Sequence, residues 1–167
     1  MNAVRAYCIG TLLYLMSAPT QCAELAKGLV QPLGEFARVR ATEDHTYGHR
    51  LRLWHGGGQL LGEILYWEGD IEGQRGRFAD GAYNPSTGAV KFSVVIVRSN
   101  VQPNTRSEAS FEGVVAKGML SGKLKWAGEA AKFRGKNGVE DLVLPLQKKE
   151  QLTPYASVEA WRKALGE

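Results

Sequence analysis

A chain of 167 residues with 44% hydrophobic and 23% charged residues has the make-up of one globular domain, which excludes wholesale disorder. A formal net charge of +4 is too mild to argue for nucleic acid as a partner. Twenty glycines, scattered without a collagen-like period, favour tight turns and bent strands over long helices.

The first 23 residues read as a secretory signal peptide. Arg5 supplies a positive start, residues 6–16 (AYCIGTLLYLM) form a short uncharged apolar run, and Ser17-Ala18-Pro19-Thr20 follows with small and helix-breaking residues. The run is too short to span a bilayer comfortably, and no other stretch approaches the ~20 apolar residues of a membrane helix. Cleavage after Ala23 leaves Gln21 at the −3 position, whereas cleavage after Cys22 leaves Thr20 there, which is sterically better. Lipidation of Cys22 is disfavoured, because Pro19-Thr20-Gln21 lacks the usual Leu and small-residue pair. Cys8 and Cys22 are the chain's two cysteines. Processing after Cys22 therefore leaves a domain without disulfide or thiolate chemistry, dependent on its hydrophobic core. The expected compartment is periplasmic or secreted, with residues 24–167 as a single domain.

From about residue 35 the sequence divides into short segments, each ended by a turn signal. Gly56-Gly57-Gly58 separates residues 47–55 from 59–68, and residues 69–73 separate the latter from 74–83. Asn84-Pro85-Ser86-Thr87-Gly88 is the strongest signal, with proline suited to a type I turn and glycine to the left-handed position closing a bulged hairpin. Lys117-Gly118 and Asn137-Gly138 are further tight turns.

Between the turns the pattern has period two. Val90, Phe92, Val94 and Ile96 share one face against Lys91 and Ser93, and Leu120, Gly122, Leu124 and Trp126 alternate with Ser121, Lys123 and Lys125. Leu51 and Leu53 alternate with Arg50 and Arg52, and Leu142, Leu144 and Leu146 repeat the theme. Eight or nine strands at about ten-residue spacing predict an all-β fold: an antiparallel up-and-down meander closing as a small barrel. Gly62, Gly76, Gly113 and Gly122, inside strands, would permit the coiling that closure needs. The longer polar link at residues 98–106 either crosses a barrel end or hangs as a loop. After residue 150 the period changes: Ser157 is a candidate N-cap, and Val158, Trp161 and Leu165 recur at helical spacing, predicting a short C-terminal helix over about residues 153–166.

Candidate chemistry is sparse. His49 and His55 share a strand face with Leu51 and Leu53, but lie roughly 20 Å apart in an extended strand, too far to share a metal. Residues 59–68 are apolar on both faces, with Leu60, Ile64 and Tyr66 on one, and Leu61, Glu63, Leu65 and Trp67 on the other. Such a strand is either covered on both sides or lines a ligand cavity. An inward Glu63 would then mark a site. The bland alternative puts Leu65 and Trp67 under the C-terminal helix, with Glu63 in solvent. Residues 117–136 are basic with Trp126 and Phe133 interleaved, a pattern that a solvated strand face explains. There is no G-x-S-x-G elbow, phosphate loop or EF-hand spacing, so no enzyme, metal or cofactor is expected.

Phe111-Glu112-Gly113 followed by Leu120-Ser121-Gly122-Lys123-Leu124, within the turn-linked run of residues 35–147, resembles the small calycin-like, lipocalin-type β-barrels. The chain departs from true lipocalins in lacking Gly-x-Trp at the first strand. The resemblance implies a barrel of a kind that often binds a small hydrophobic molecule, but it carries over no binding residue. The expected ligand-binding residues are Tyr66, Trp126 and Glu63, with Trp54 as a further candidate for the interior. The competing expectation is a protein-interaction module, such as an envelope assembly factor or an inhibitor of an exported enzyme, using the outer face, the 98–106 loop or the helix.

Overall fold

The computed structural model describes residues 28–69, 72–97, 106–147 and 152–166. The segment read as a signal peptide lies outside the described residues, as do residues 98–105 of the polar link. Eight strands follow in chain order: β1 (Gln31–Ala41), β2 (Thr46–Gly56), β3 (Gln59–Glu68), β4 (Gln74–Asn84), β5 (Ala89–Val97), β6 (Arg106–Ala116), β7 (Met119–Trp126) and β8 (Val139–Pro145). Each pairs antiparallel with the next in a single sheet, an up-and-down meander. Val97 and Arg106 are direct partners, so the polar link joins two neighbouring strands.

The tight turns behave as their residues dictate. Gly57 and Gly58 both have positive φ, as do Lys117 and Gly118, the geometry that matches the twist of a two-residue hairpin. At the 84–88 turn the Asn84 side chain accepts from the backbone N–H of Ser86 and Thr87, and Gly88 takes the left-handed position. These turns all fall at one end of the meander. The longer connections, at residues 42–45, 69–73, 98–105 and 127–138, fall at the other.

The sheet curls until β1 meets β8. A Phe36–Leu146 bridge, the Gln147 N–H donating to Glu35 C=O and the Gln147 amide donating to Ala37 C=O make the seam. The barrel is nearly closed and calycin-like in shape. Its interior is packed: Phe78, Phe92 and Phe111 stack in series with centroid spacings of 3.9 and 5.3 Å, among Leu51, Leu53, Ile64, Leu124 and Leu142. The strand glycines make room for these rings. A Cβ at Gly62 would strike the Phe78 ring, and one at Gly113 or Gly122 the Phe111 ring. Their backbones are ordinary, so close approach, and not a special φ, is what requires glycine there.

The C-terminal helix α1 (Val158–Leu165) is shorter than the 153–166 expected, because Tyr155 is held extended by paired backbone bonds with Val30. Ser157 caps it as expected, its hydroxyl accepting from the Ala160 N–H, and Gly166 ends it in the left-handed conformation. Fully buried Trp161 sets α1 against the outside of the barrel over Val30, Trp54 and Leu61.

Candidate functional site

Alternation places the inward side chains of successive strands in rows, and at the end bearing the long connections that row becomes polar. His49 of β2, Tyr66 of β3 and Gln74 of β4 are cross-strand neighbours, since Tyr66 pairs with both. All three are buried. Trp126, at the end of β7, and inward Glu140 of β8 complete the arc; the Trp126 indole N–H donates to Glu140 Oε1 at 2.8 Å. His49 Nε2 lies 3.3 Å from Glu140 Oε2, ion-pair reach though out of line for a hydrogen bond. The Tyr66 ring contacts His49 at 4.8 Å and Trp126 at 5.3 Å between centroids.

A residue from outside the strands fills this mouth. The β7–β8 connection folds through a short 3₁₀ helix (Gly128–Lys132) and returns by a turn at Asn137-Gly138, both with positive φ. Within residues 127–137, Arg134 alone is buried, while its neighbour Phe133 is 80% exposed. The Arg134 guanidinium carbon sits 4.3 Å from the centroids of both Tyr66 and Trp126. This is a double cation–π contact over the corner where the two rings meet, the stronger for being desolvated. Nη2 reaches Glu68 Oε2 at 2.8 Å, while Nη1 finds no hydrogen-bond acceptor in the protein.

Electrostatics follow from this packing. Burial pushes the Tyr66 phenol far above its ordinary range, with Glu68 and Glu140 adding to the rise and Arg134 opposing it. Burial also works against charge on Glu140, but His49, the Trp126 N–H and Arg134 together outweigh it and hold that carboxyl below the usual range. Among the described residues no three His, Cys, Asp or Glu side chains converge as a metal site.

Two of the four residues singled out from sequence, Tyr66 and Trp126, meet here. The other two do not lie inside the barrel, which corrects the interior placement expected for them. Trp54 faces outward into the layer under α1, its indole N–H donating to Thr153 C=O. Glu63 also faces outward, yet it is 3% exposed. Arg75 Nε and Arg77 Nε stand 3.1 and 3.5 Å from its Oε1, and Arg52 Nη1 stands 3.7 Å from Oε2. On β1, Glu35 is held likewise by Arg52 Nε at 2.7 Å and Arg50 Nε at 3.3 Å. Glu63 is therefore neither in a cavity nor in solvent, and the residues under α1 are Trp54 and Leu61, not Leu65 and Trp67. The signal for this array lies in the sequence: Arg50, Arg52, Arg75 and Arg77 recur at period two on the strands flanking Glu63. His49, Gln74, Glu140 and Arg134 went unrecognised as site residues; His49 carried a signal in its parity with Leu51 and Leu53, and Glu140 in its parity with Leu142 and Leu144.

An open groove of about 490 Å³ crosses the outer face of β4–β7 where the β4–β5 ladder slips register between Arg77 and Ala82. The outward Ser93, Val95, Glu108, Ser110 and Lys125 line it together with buried Phe78, Val94, Ala109 and Trp126, so it opens to solvent and reaches core residues between the strands. Comparison with family models, with curated proteins and with solved structures finds no match to this chain in any of the three.

Proposed function

We propose that this chain is an exported binding module that holds a small, partly apolar ligand at the polar mouth of its barrel. One observation carries the reading: buried His49, Tyr66, Gln74 and Trp126, with half-buried Glu140, form a polar and aromatic ring at one end of an otherwise apolar interior. Buried polar groups are costly unless they serve packing or recognition, and few convergent polar groups on an apolar floor are what small-molecule sites share. Long connections cluster at the same end, where binding residues concentrate. Export is supported by the order of charge, apolar run and small residues in positions 1–23. A binding role suits the site better than catalysis. Its two shifted groups move away from neutrality, Tyr66 up and Glu140 down, which favours holding charge in place over transferring protons.

The test is native mass spectrometry of the protein purified without denaturant from the cells that make it. A small-molecule adduct is expected on the wild-type chain and absent from Tyr66→Ser. The folded wild-type chain carrying no adduct would overturn the binding role. A co-purifying protein in place of a small molecule would instead support the interaction-module reading, which draws on the exposed Phe133 beside the mouth.

A further inference from the structure

Resting on the binding role above, we propose that the slot at the corner formed by the touching rings of Tyr66 and Trp126 is a site for a planar or compact organic cation, a guanidino or methylated ammonium compound, and that Arg134 is its tethered occupant. The division of labour in the fold carries this. Every wall of the slot is borne by a strand: Tyr66 and Glu68 by β3, Trp126 by β7, Glu140 by β8. The occupant comes from the β7–β8 connection. That segment holds the mouth through Arg134 and through the half-buried Ala130 and Ala131, and its 3₁₀ helix contributes no buried residue. Backbone bonds from Trp126 N–H to Gly138 C=O and from Ala127 N–H to Glu108 C=O fix its base and leave the tip to Arg134.

The slot's chemistry selects the sign of the ligand. Two aromatic rings that meet at a corner both lie 4.3 Å from the cation, centroid to guanidinium carbon, and present their negative quadrupoles to it. The fixed charges around them are the carboxylates of Glu68 and Glu140. An anion displacing Arg134 would face two carboxylates with no cation between them, whereas a guanidinium or quaternary ammonium replaces what it removes. Arg134 Nη1, buried without an acceptor, shows that the slot does not satisfy this occupant fully. The floor below, Ile64, Ile96 and Leu124, suits an apolar body behind the cationic head.

A tethered group competes at an effective concentration in the millimolar range, so removing it unmasks the site. The experiment titrates the full chain and its Arg134→Ala variant with methylguanidinium and tetramethylammonium chloride, using sodium chloride and sodium acetate as controls. The indole N–H resonance of Trp126 reports, with those of Trp54, Trp67 and Trp161 as internal standards of the fold. Arg134→Ala is expected to show a saturable shift of the Trp126 resonance alone, with at least about tenfold tighter half-saturation than the wild type. A folded Arg134→Ala variant whose Trp126 resonance responds no more to the cations than to sodium would overturn the proposal. Should that variant not fold, the wild-type chain decides: methylguanidinium at tens of millimolar must shift Trp126 beyond the sodium control, and an equal response overturns it. The two readings fail separately. A neutral or anionic adduct in native mass spectrometry removes the cation assignment and leaves the binding role, whereas the bare mass removes the role itself.

Discussion

Glu140 shows how single side chains set the character of the barrel's mouth. Its carboxylate is half-buried, and it stays charged because His49, the Trp126 N–H and Arg134 surround it. With a folded-state pKa below the unfolded value of about 4.3, the charged form stabilises the fold fully above that pH, and the contribution fades as pH falls through the lowered folded value. The wild-type urea midpoint should therefore drop on acidification more than that of Glu140→Gln, which should cost about 1–2 kcal/mol at neutral pH; parallel midpoint-against-pH curves for the two would refute this. The same residues show what alternation reveals. Tyr66 and Trp126 were legible as interior because each continues a one-sided apolar row. Glu63 was not, because β3 is apolar on both faces and parity cannot say which faces inward. Its environment depends on arginines from two other strands. Arg134 was illegible for a different reason: it stands in a connection with no period, among lysines that are solvated.

At the scale of elements, period and turn chemistry were nearly sufficient. Each hairpin partner sits beside its sequence neighbour, so no crossover had to be guessed. The doubly apolar β3 finds its explanation in α1, which covers Leu61 and Trp54 from outside while Leu60, Ile64 and Tyr66 face the core. The short helix has few residues with which to hold itself, so its stability comes from Trp161. Trp161→Ala should weaken the α1 layer by about 3–5 kcal/mol, the usual cost of deleting a large buried aromatic. Since that layer shares no buried residue with the barrel core, the effect should be local. In hydrogen exchange, α1 amides should lose protection while those of β5, β6 and β7 keep theirs. Uniform loss through β5–β7 would show that helix and barrel are one cooperative unit.

Across the whole molecule, the consequential feature is that closure is unequal. Seven ladders of long, consecutive hairpins carry the sheet from β1 to β8, whereas the β1–β8 seam rests on a bridge and a few bonds from Gln147. No sequence pattern announces a seam, because it depends on the accumulated curvature that the strand glycines and their overlying rings produce. Just past the end of β8 the seam contacts fall at Leu146 and Gln147, six and seven residues beyond Glu140 and next to the tight turn at Gly118. Local opening draws on the weakest ladder first, so β1 and β8 amides should exchange ahead of those in β3–β6. Gln147→Ala removes the side-chain donor to Ala37 C=O and Pro145 C=O at a cost of about 1 kcal/mol. It should speed β1 exchange several-fold while leaving β4–β6 unchanged. If β1 instead exchanged only with global unfolding in both proteins, the seam would be as strong as the ladders.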